Sequence, residues 1–414
     1  MKKFLALTLA LVMSLSLVAC GDKKTDDTKT DAPDQTEQPA ENEGAYKVAM
    51  ITDYGDITDQ SFNQTTYEAC KAFAEDNSIE FSYFKPAGDN TADRVAMIEK
   101  AVDEGFNVIV MPGYAFGGAI VEAAPEFPDV KFIALDVAAG DLLETAVAKA
   151  GEAYDYTPEN WDLNKYVDMS NVYCAVYQEE LCGYMAGYAA VKLGYKNLGF
   201  LGGMSVPAVV RYGYGFVQGV DAAAADLGLT DVKLNYIYGG QFFGDADITA
   251  VMDTWYQGGT EVVFACGGGI YTSAVDAAKK VGAKVIGVDV DQAGVIANYA
   301  GVDGMTVTSA MKGLYPATYD TLTDVIVNGN WEKYVGKIET LGLVSGTDPE
   351  ANYVQIPMGD GTQWSDSFTQ DDYKAMVKDM FDGKITVSNN TSSDVSAADF
   401  ATVITVDDQG SIKG

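Results

Sequence analysis

The chain has 414 residues, 48% hydrophobic and 21% charged, enough for one large or two ordinary globular domains. Its 60 acids against 27 bases leave a formal charge of −33, a surface that repels nucleic acid and anionic lipid headgroups. Histidine is absent, which excludes Ser-His-Asp and Cys-His catalysis and histidine-ligated zinc in their usual forms.

The amino-terminal stretch carries Lys2 and Lys3, then an apolar run from Phe4 to Val18 that is short for a membrane span. The run ends in Leu17-Val18-Ala19-Cys20, which resembles a lipoprotein signal. Residues 1–19 are therefore expected to be removed and Cys20 to carry lipid, tethering the chain outside the cytoplasmic membrane. Residues 20–45 are Asp, Lys, Thr, Glu, Gln, Pro and Ala with little to bury, and read as a flexible linker.

From Tyr46 short β-rich runs alternate with helical patterns. Strands are expected at 46–52, 79–84, 108–112 and 131–136, with helices at 62–76, 91–104 and 117–127 between them. Residues 140–170, rich in Ala, Glu, Asp and Tyr, interrupt this rhythm and read as a surface insertion that could be part helical. The alternation resumes with strands at 172–177, 197–201, 232–238, 262–265 and 284–288 and helices at 179–193, 214–227, 246–257 and 271–281. Repeated βα alternation of this kind specifies parallel sheets covered by helices, here in two lobes. The stretch after Gly359 has no clear pattern. Besides Cys20 there are Cys70, Cys174, Cys182 and Cys266, without CxxC spacing, so no metal cluster is expected. Cys174 and Cys182 could pair, but both sit in apolar stretches that suit buried thiols.

Ligands of parallel sheets sit beyond the carboxyl ends of the strands. The first strand runs into Asp53-Tyr-Gly-Asp56-Ile-Thr-Asp59-Gln-Ser61-Phe62-Asn63, where Asp59 or Ser61 suits a helix cap. Phe62 beside Asn63 offers a planar heterocycle a face to stack on and an amide for its edge. Asp136 follows the fourth strand, where a loop residue and a ligand acceptor are equally good readings. Cys266-Gly267-Gly268-Gly269 lacks a phosphate-loop signature and suits a tight turn or close backbone approach to a neutral ligand. Asp289 and Asp291 could grip hydroxyls, hold a metal or solvate a loop, with Lys312 offsetting their charge or merely sitting at the surface.

Together these pieces resemble the basic membrane protein family of lipoproteins, nucleoside-binding components of ABC transporters. The resemblance rests on Asp53-Tyr-Gly55-Asp-Ile-Thr58-Asp59-Gln-Ser61-Phe62-Asn63-Gln64, Glu180-Leu-Cys-Gly-Tyr-Met-Ala-Gly187, Gly199-Phe-Leu-Gly-Gly-Met204 and Ile286-Gly-Val-Asp289-Val-Asp291-Gln292. It implies an α/β, type I periplasmic-binding-protein fold with two Rossmann-like lobes, a hinge and a ligand cleft. The lobes are expected to comprise 46–172 with 308–338, and 173–307 with 339–414. By the same resemblance Phe62 stacks on a base, and Phe242 covers its other face, although Phe243 competes for that role. Asn63 and Asp136 bind the base edge, and Asp53, Gly267, Gly268, Asp289 and Lys312 hold the ribose. The implied partners are a nucleoside, with purines favoured, an ABC permease and, through Cys20, the membrane; no nucleic acid, cofactor, metal or catalysis is implied. A sugar receptor of the same fold is the alternative, and a hydrolase using Asp53 and Asp289 is a third reading.

Overall fold

The computed structural model describes residues 46–413. The expected signal at 1–19, lipidation at Cys20 and linker at 20–45 lie outside the described residues.

Two sheets carry the fold. The strands, in chain order, are β1 (Lys47–Ile51), β2 (Glu80–Phe84), β3 (Val108–Pro112), β4 (Lys131–Leu135), β5 (Val172–Tyr177), β6 (Asn197–Gly202), β7 (Lys233–Tyr238), β8 (Val262–Cys266), β9 (Lys284–Asp289), β10 (Thr306–Lys312), β11 (Ile338–Leu341), β12 (Val354–Gln355) and β13 (Thr405–Ser411). The first sheet has the order β11-β5-β4-β3-β1-β2, and the second β12-β10-β9-β8-β6-β7-β13. All the neighbours in them run parallel except β10 and β12. β3 and β8 are buried along their whole length, as continuous apolar strands covered on both faces should be. In each sheet the strand order reverses once near the middle, between β1 and β3 and between β6 and β8. Crevices form at such switch points.

Three connections join the lobes. After β5 the chain enters the helix Glu179–Lys192, which packs on the helix Pro207–Asp226 beside the second sheet. This contact is close because glycines face it. A Cβ on Gly183 would lie 2.3 Å from the Tyr212 carbonyl oxygen, and one on Gly215 2.1 Å from that of Glu180. After β10 the chain returns through the helix Leu314–Leu322, which packs on the first lobe's helix Phe62–Asn77. The third connection runs from β11 to β12.

The expected lobe boundaries are therefore displaced. β5 belongs to the first sheet and β10 to the second, so divisions at 172/173 and 307/308 fall inside strands. The chain crosses only after each strand has completed its ladder and reached the crevice. The expected insertion at 140–170 also changes. The helix Ala139–Lys149 buries Leu142, Leu143, Ala146 and Val147 and is the ordinary crossover between β4 and β5. Only the segment after it leaves the rhythm, and there Tyr154, Tyr156, Trp161 and Tyr166 form a chain of ring contacts. The carboxyl-terminal stretch supplies a buried Tyr373 on the helix Gln370–Phe381 and then β13, which extends the second sheet beside β7. Asp221 anchors the approach to β13 by accepting from the backbone N–H groups of Thr402, Val403 and Ile404. Cys70, Cys174, Cys182 and Cys266 are buried free thiols.

Candidate functional site

A cavity of about 420 Å³ lies between the lobes, at both switch points. Asp53, Phe62, Asn63, Asp136, Phe242, Gly267, Gly268, Asp289 and Lys312 all line it. Asp291 is not among the lining residues; its Oδ1 accepts from the Ala293 N–H.

The first-lobe wall is organised by Asp59. Its carboxylate accepts from the backbone N–H groups of Ser61, Asn63 and Gln64, at 2.9–3.1 Å, and so caps the helix that starts at Phe62. The Asn63 amide is held between two carboxylates, donating to Asp53 Oδ1 at 3.2 Å and to Asp59 Oδ2 at 3.1 Å. That geometry fixes the orientation of the amide, because only its NH2 end can face two carboxylates. Asn63 Oδ1 is left buried without a partner among the described residues. Asp53 Oδ1 also accepts from the N–H groups of Tyr54 and Gly55, at 2.6 and 2.7 Å. Gly55 is required here, since a Cβ would come within 2.5 Å of Asn63 Nδ2. Burial raises the carboxyls of Asp53 and Asp59 against the lowering effect of these bonds.

The hinge side of the cavity carries a charge network. Lys312, buried at the end of β10, gives its ammonium to Asp136 Oδ2. It also approaches Glu179 Oε1 at 3.4 Å and Asp289 Oδ1 at 3.9 Å, and sits 4.7 Å from the centre of the Phe62 ring. Burial alone would lower the lysine, but Asp136, Glu179 and Asp289 outweigh it and the net direction is up. Arg211 reaches Glu179 Oε2 at 2.7 Å. Asp136 sits at φ +58° at the end of β4, and burial pushes its carboxyl up to about 6 despite the lysine. Its Oδ1 is the second buried oxygen of the cavity lining without a partner among the described residues.

The second-lobe wall is built largely from backbone and rings. Gly203 and Gly267 let the Phe242 ring pack close against the chain: a Cβ on Gly203 would come within 2.4 Å of that ring, and one on Gly267 within 2.9 Å. Phe243 lines the cavity too but is 57% exposed, which makes Phe242 the better packed of the two. Asp289, at φ +65°, accepts from Tyr212 and from Ser61. The Ser61 bond crosses between lobes, as do Lys312 to Asp136 and Gln292 Nε2 to the Gln60 carbonyl at 3.2 Å. The lobes are thus closed on the cavity.

Sequence reasoning missed Asp141, Glu179, Arg211, Tyr54 and Tyr114. Asp141 lines the cavity from the first turn of the helix Ala139–Lys149, and burial raises it to about 7. It lies in the acid-rich stretch 140–170, whose composition suggests an insertion. The acid that ends an apolar strand is a usable signal, as for Asp136, but nothing local marks a helix residue such as Arg211. No group of three or more Cys, Asp or Glu side chains among the described residues could hold a metal ion.

A family profile described as ABC transporter substrate-binding protein, PnrA-like, matches residues 46–347. The ABC transporter nucleoside-binding protein BmpA of Lactococcus lactis subsp. cremoris is 25% identical over 94% of this chain and 99% of its own length. Basic membrane protein B of Borreliella burgdorferi is 26% identical over 75% of this chain and 83% of its own. A solute-binding protein of an ABC transporter system from Aeropyrum pernix superposes with a TM-score of 0.62 at 19% identity, over 84% of this chain and 95% of that one. That likeness shows the fold, a type I periplasmic-binding-protein architecture of two α/β lobes.

Proposed function

This chain belongs to the Bmp family of ABC transporter substrate-binding proteins, which are not enzymes, and from that premise we propose that it captures nucleosides in the closed cleft. The observation that carries the reading is the pair of buried, unpartnered acceptors, Asn63 Oδ1 and Asp136 Oδ1, in a cavity also lined by Phe62 and Phe242. Orphaned acceptors that face a cavity are matched by donors of a ligand or of water that it displaces. A nucleobase supplies donors on its edge and a face for the rings; stacking contributes about 1–3 kcal/mol per base. The cavity volume, about 420 Å³, is within the range of small-molecule sites. Ribose hydroxyls would be taken by Asp289, Oδ2 of Asp53 and the Gly267–Gly268 backbone. Lys312, given to the ribose by the family resemblance, would reach it beside Asp136, which already accepts from its ammonium.

Asp53, Asp59, Asp136, Asp141 and Asp289 face a cavity whose basic lining residues are Arg211 and Lys312, both held by Glu179. Such a site disfavours a phosphate, so nucleosides should bind in preference to nucleotides. Closing of the lobes would present the loaded form to an ABC permease. The Cys20 motif supports a lipid anchor on the outer face of the cell membrane. Calorimetric titration with purine and pyrimidine nucleosides, ribose, hexoses and adenosine 5′-monophosphate tests the reading. Saturable binding of nucleosides with ribose and the nucleotide silent is expected. Binding of a free sugar with every nucleoside silent would replace it with a sugar receptor.

A further inference from the structure

The segment that ends the second sheet lies outside the 46–347 region of family resemblance, yet it reaches the loop that carries Phe242. β13 pairs with β7, and beyond it the Ile412 N–H donates to the Tyr238 carbonyl at 2.8 Å. Next in sequence, Lys413 donates to Gln241 Oε1 at 2.7 Å and to Asp245 Oδ2. Gln241 and Asp245 flank Phe242 and Phe243. Gln241 Nε2 closes the loop on itself, donating to Asp245 Oδ2 at 3.0 Å and to the Phe243 carbonyl at 2.8 Å. Asp245 in turn caps the helix Ala246–Gln257 through the Ile248 N–H. Gly240, at φ +80°, admits the segment: a Cβ there would stand 2.7 Å from Lys413 Cβ. On the cavity side the loop is tied by the Gly269 N–H to the Phe242 carbonyl, at 2.9 Å. The loop is thus held from both sides, by the glycine turn that lines the cavity and by Lys413 behind it.

We propose that Lys413 is a positioning residue for ligand capture: by joining Gln241 to Asp245 it fixes the loop that presents Phe242 to the ligand. It touches no ligand itself. The proposal rests on the nucleoside reading for its affinity consequence, but its structural consequence is independent of what binds.

The experiment measures nucleoside affinity for the parent protein, Lys413→Ala, Lys413→Arg, Phe242→Ala and the Lys413→Ala/Phe242→Ala double variant. It also follows hydrogen exchange of residues 239–245 in each without ligand. Lys413→Ala is expected to weaken binding about fourfold, the scale of a half-exposed ion pair with one hydrogen bond. Lys413→Arg should restore most of it. In the Phe242→Ala background the further loss should shrink to about 1.5-fold or less, because the lysine acts through that ring. Exchange at 239–245 should quicken in Lys413→Ala while the helix Phe62–Asn77 is unchanged. Equal losses with and without Phe242, or unchanged exchange in the loop, would overturn the proposal. If no nucleoside binds the parent, the nucleoside reading fails, and loop exchange alone decides whether Lys413 holds the loop.

Discussion

The two walls of the cleft are made differently. The first-lobe wall has a local part, Asp53 to Asn63, tied together by a single capping carboxylate, Asp59, and a distant part, Asp136 at the end of β4 with Asp141 on the helix that follows. The second-lobe wall draws Phe242, Gly267, Asp289 and Lys312 from four separate strand ends, and it is shaped by glycine backbone as much as by side chains. The first wall presents fixed hydrogen-bond acceptors; the second supplies a surface to close over a ligand and the ion pair that joins the lobes. Half of the recognition chemistry is thus local in sequence; the other half, Asp136, is brought in by the sheet, as are the groups that close the cleft.

The contrast breaks most visibly at Lys312. Replacing it with alanine leaves Asp136, Glu179 and Asp289 buried around an empty position, and loss of one partner from such a network costs about 3–5 kcal/mol. A large fall in the midpoint of urea or thermal unfolding is expected; an unchanged midpoint would mean that the network contributes nothing to the closed state. Phe62→Ala is a purer test of recognition. Removing one stacking face should weaken nucleoside binding by about 1–3 kcal/mol, roughly fivefold to 150-fold, with the fold intact by circular dichroism. Equal affinity for parent and variant would move the base away from the first wall.

The pH dependence of stability tests the first-lobe acids and Glu180 separately. Burial raises Asp136 to about 6, and Asp141 and Glu180 to about 7, from ordinary values near 4. The folded state therefore keeps protons that the unfolded chain has released, so stability falls as pH rises between about 4 and 7. Each such group contributes at most about 1.4 kcal/mol per pH unit. The thermal midpoint should drop over that interval, and Asp141→Asn should flatten the slope; a parent midpoint that climbs with pH would contradict these assignments.

The difference between the walls also explains what could be read from sequence. Asp59, Phe62 and Asn63 were legible because a capped helix start is a local pattern. Asp136 and Asp289 were marked by the apolar strands before them. Glu179 and Arg211 meet only because two glycine-faced helices pack closely, and no local pattern announces that. Asp141 and Glu144 make the stretch of the helix Ala139–Lys149 read as a part-helical insertion at the surface, although its buried face repeats at helical spacing and makes it a core crossover. β13 reads Thr-Val-Asp-Asp-Gln-Gly-Ser and is mostly exposed, so it has no apolar alternation to reveal it. Its ladder with β7 and the Trp255 indole bond to Gln409 hold it in place.

The crystal structure of the protein with a bound nucleoside tests the central claim most directly. The account predicts the base against Phe62 and Phe242, with its edge donors on Asn63 Oδ1 and Asp136 Oδ1 and its sugar toward Asp289 and the Gly267–Gly268 backbone. A base placed elsewhere in the cleft, with those two oxygens still unpartnered or taken by sugar hydroxyls, would contradict it.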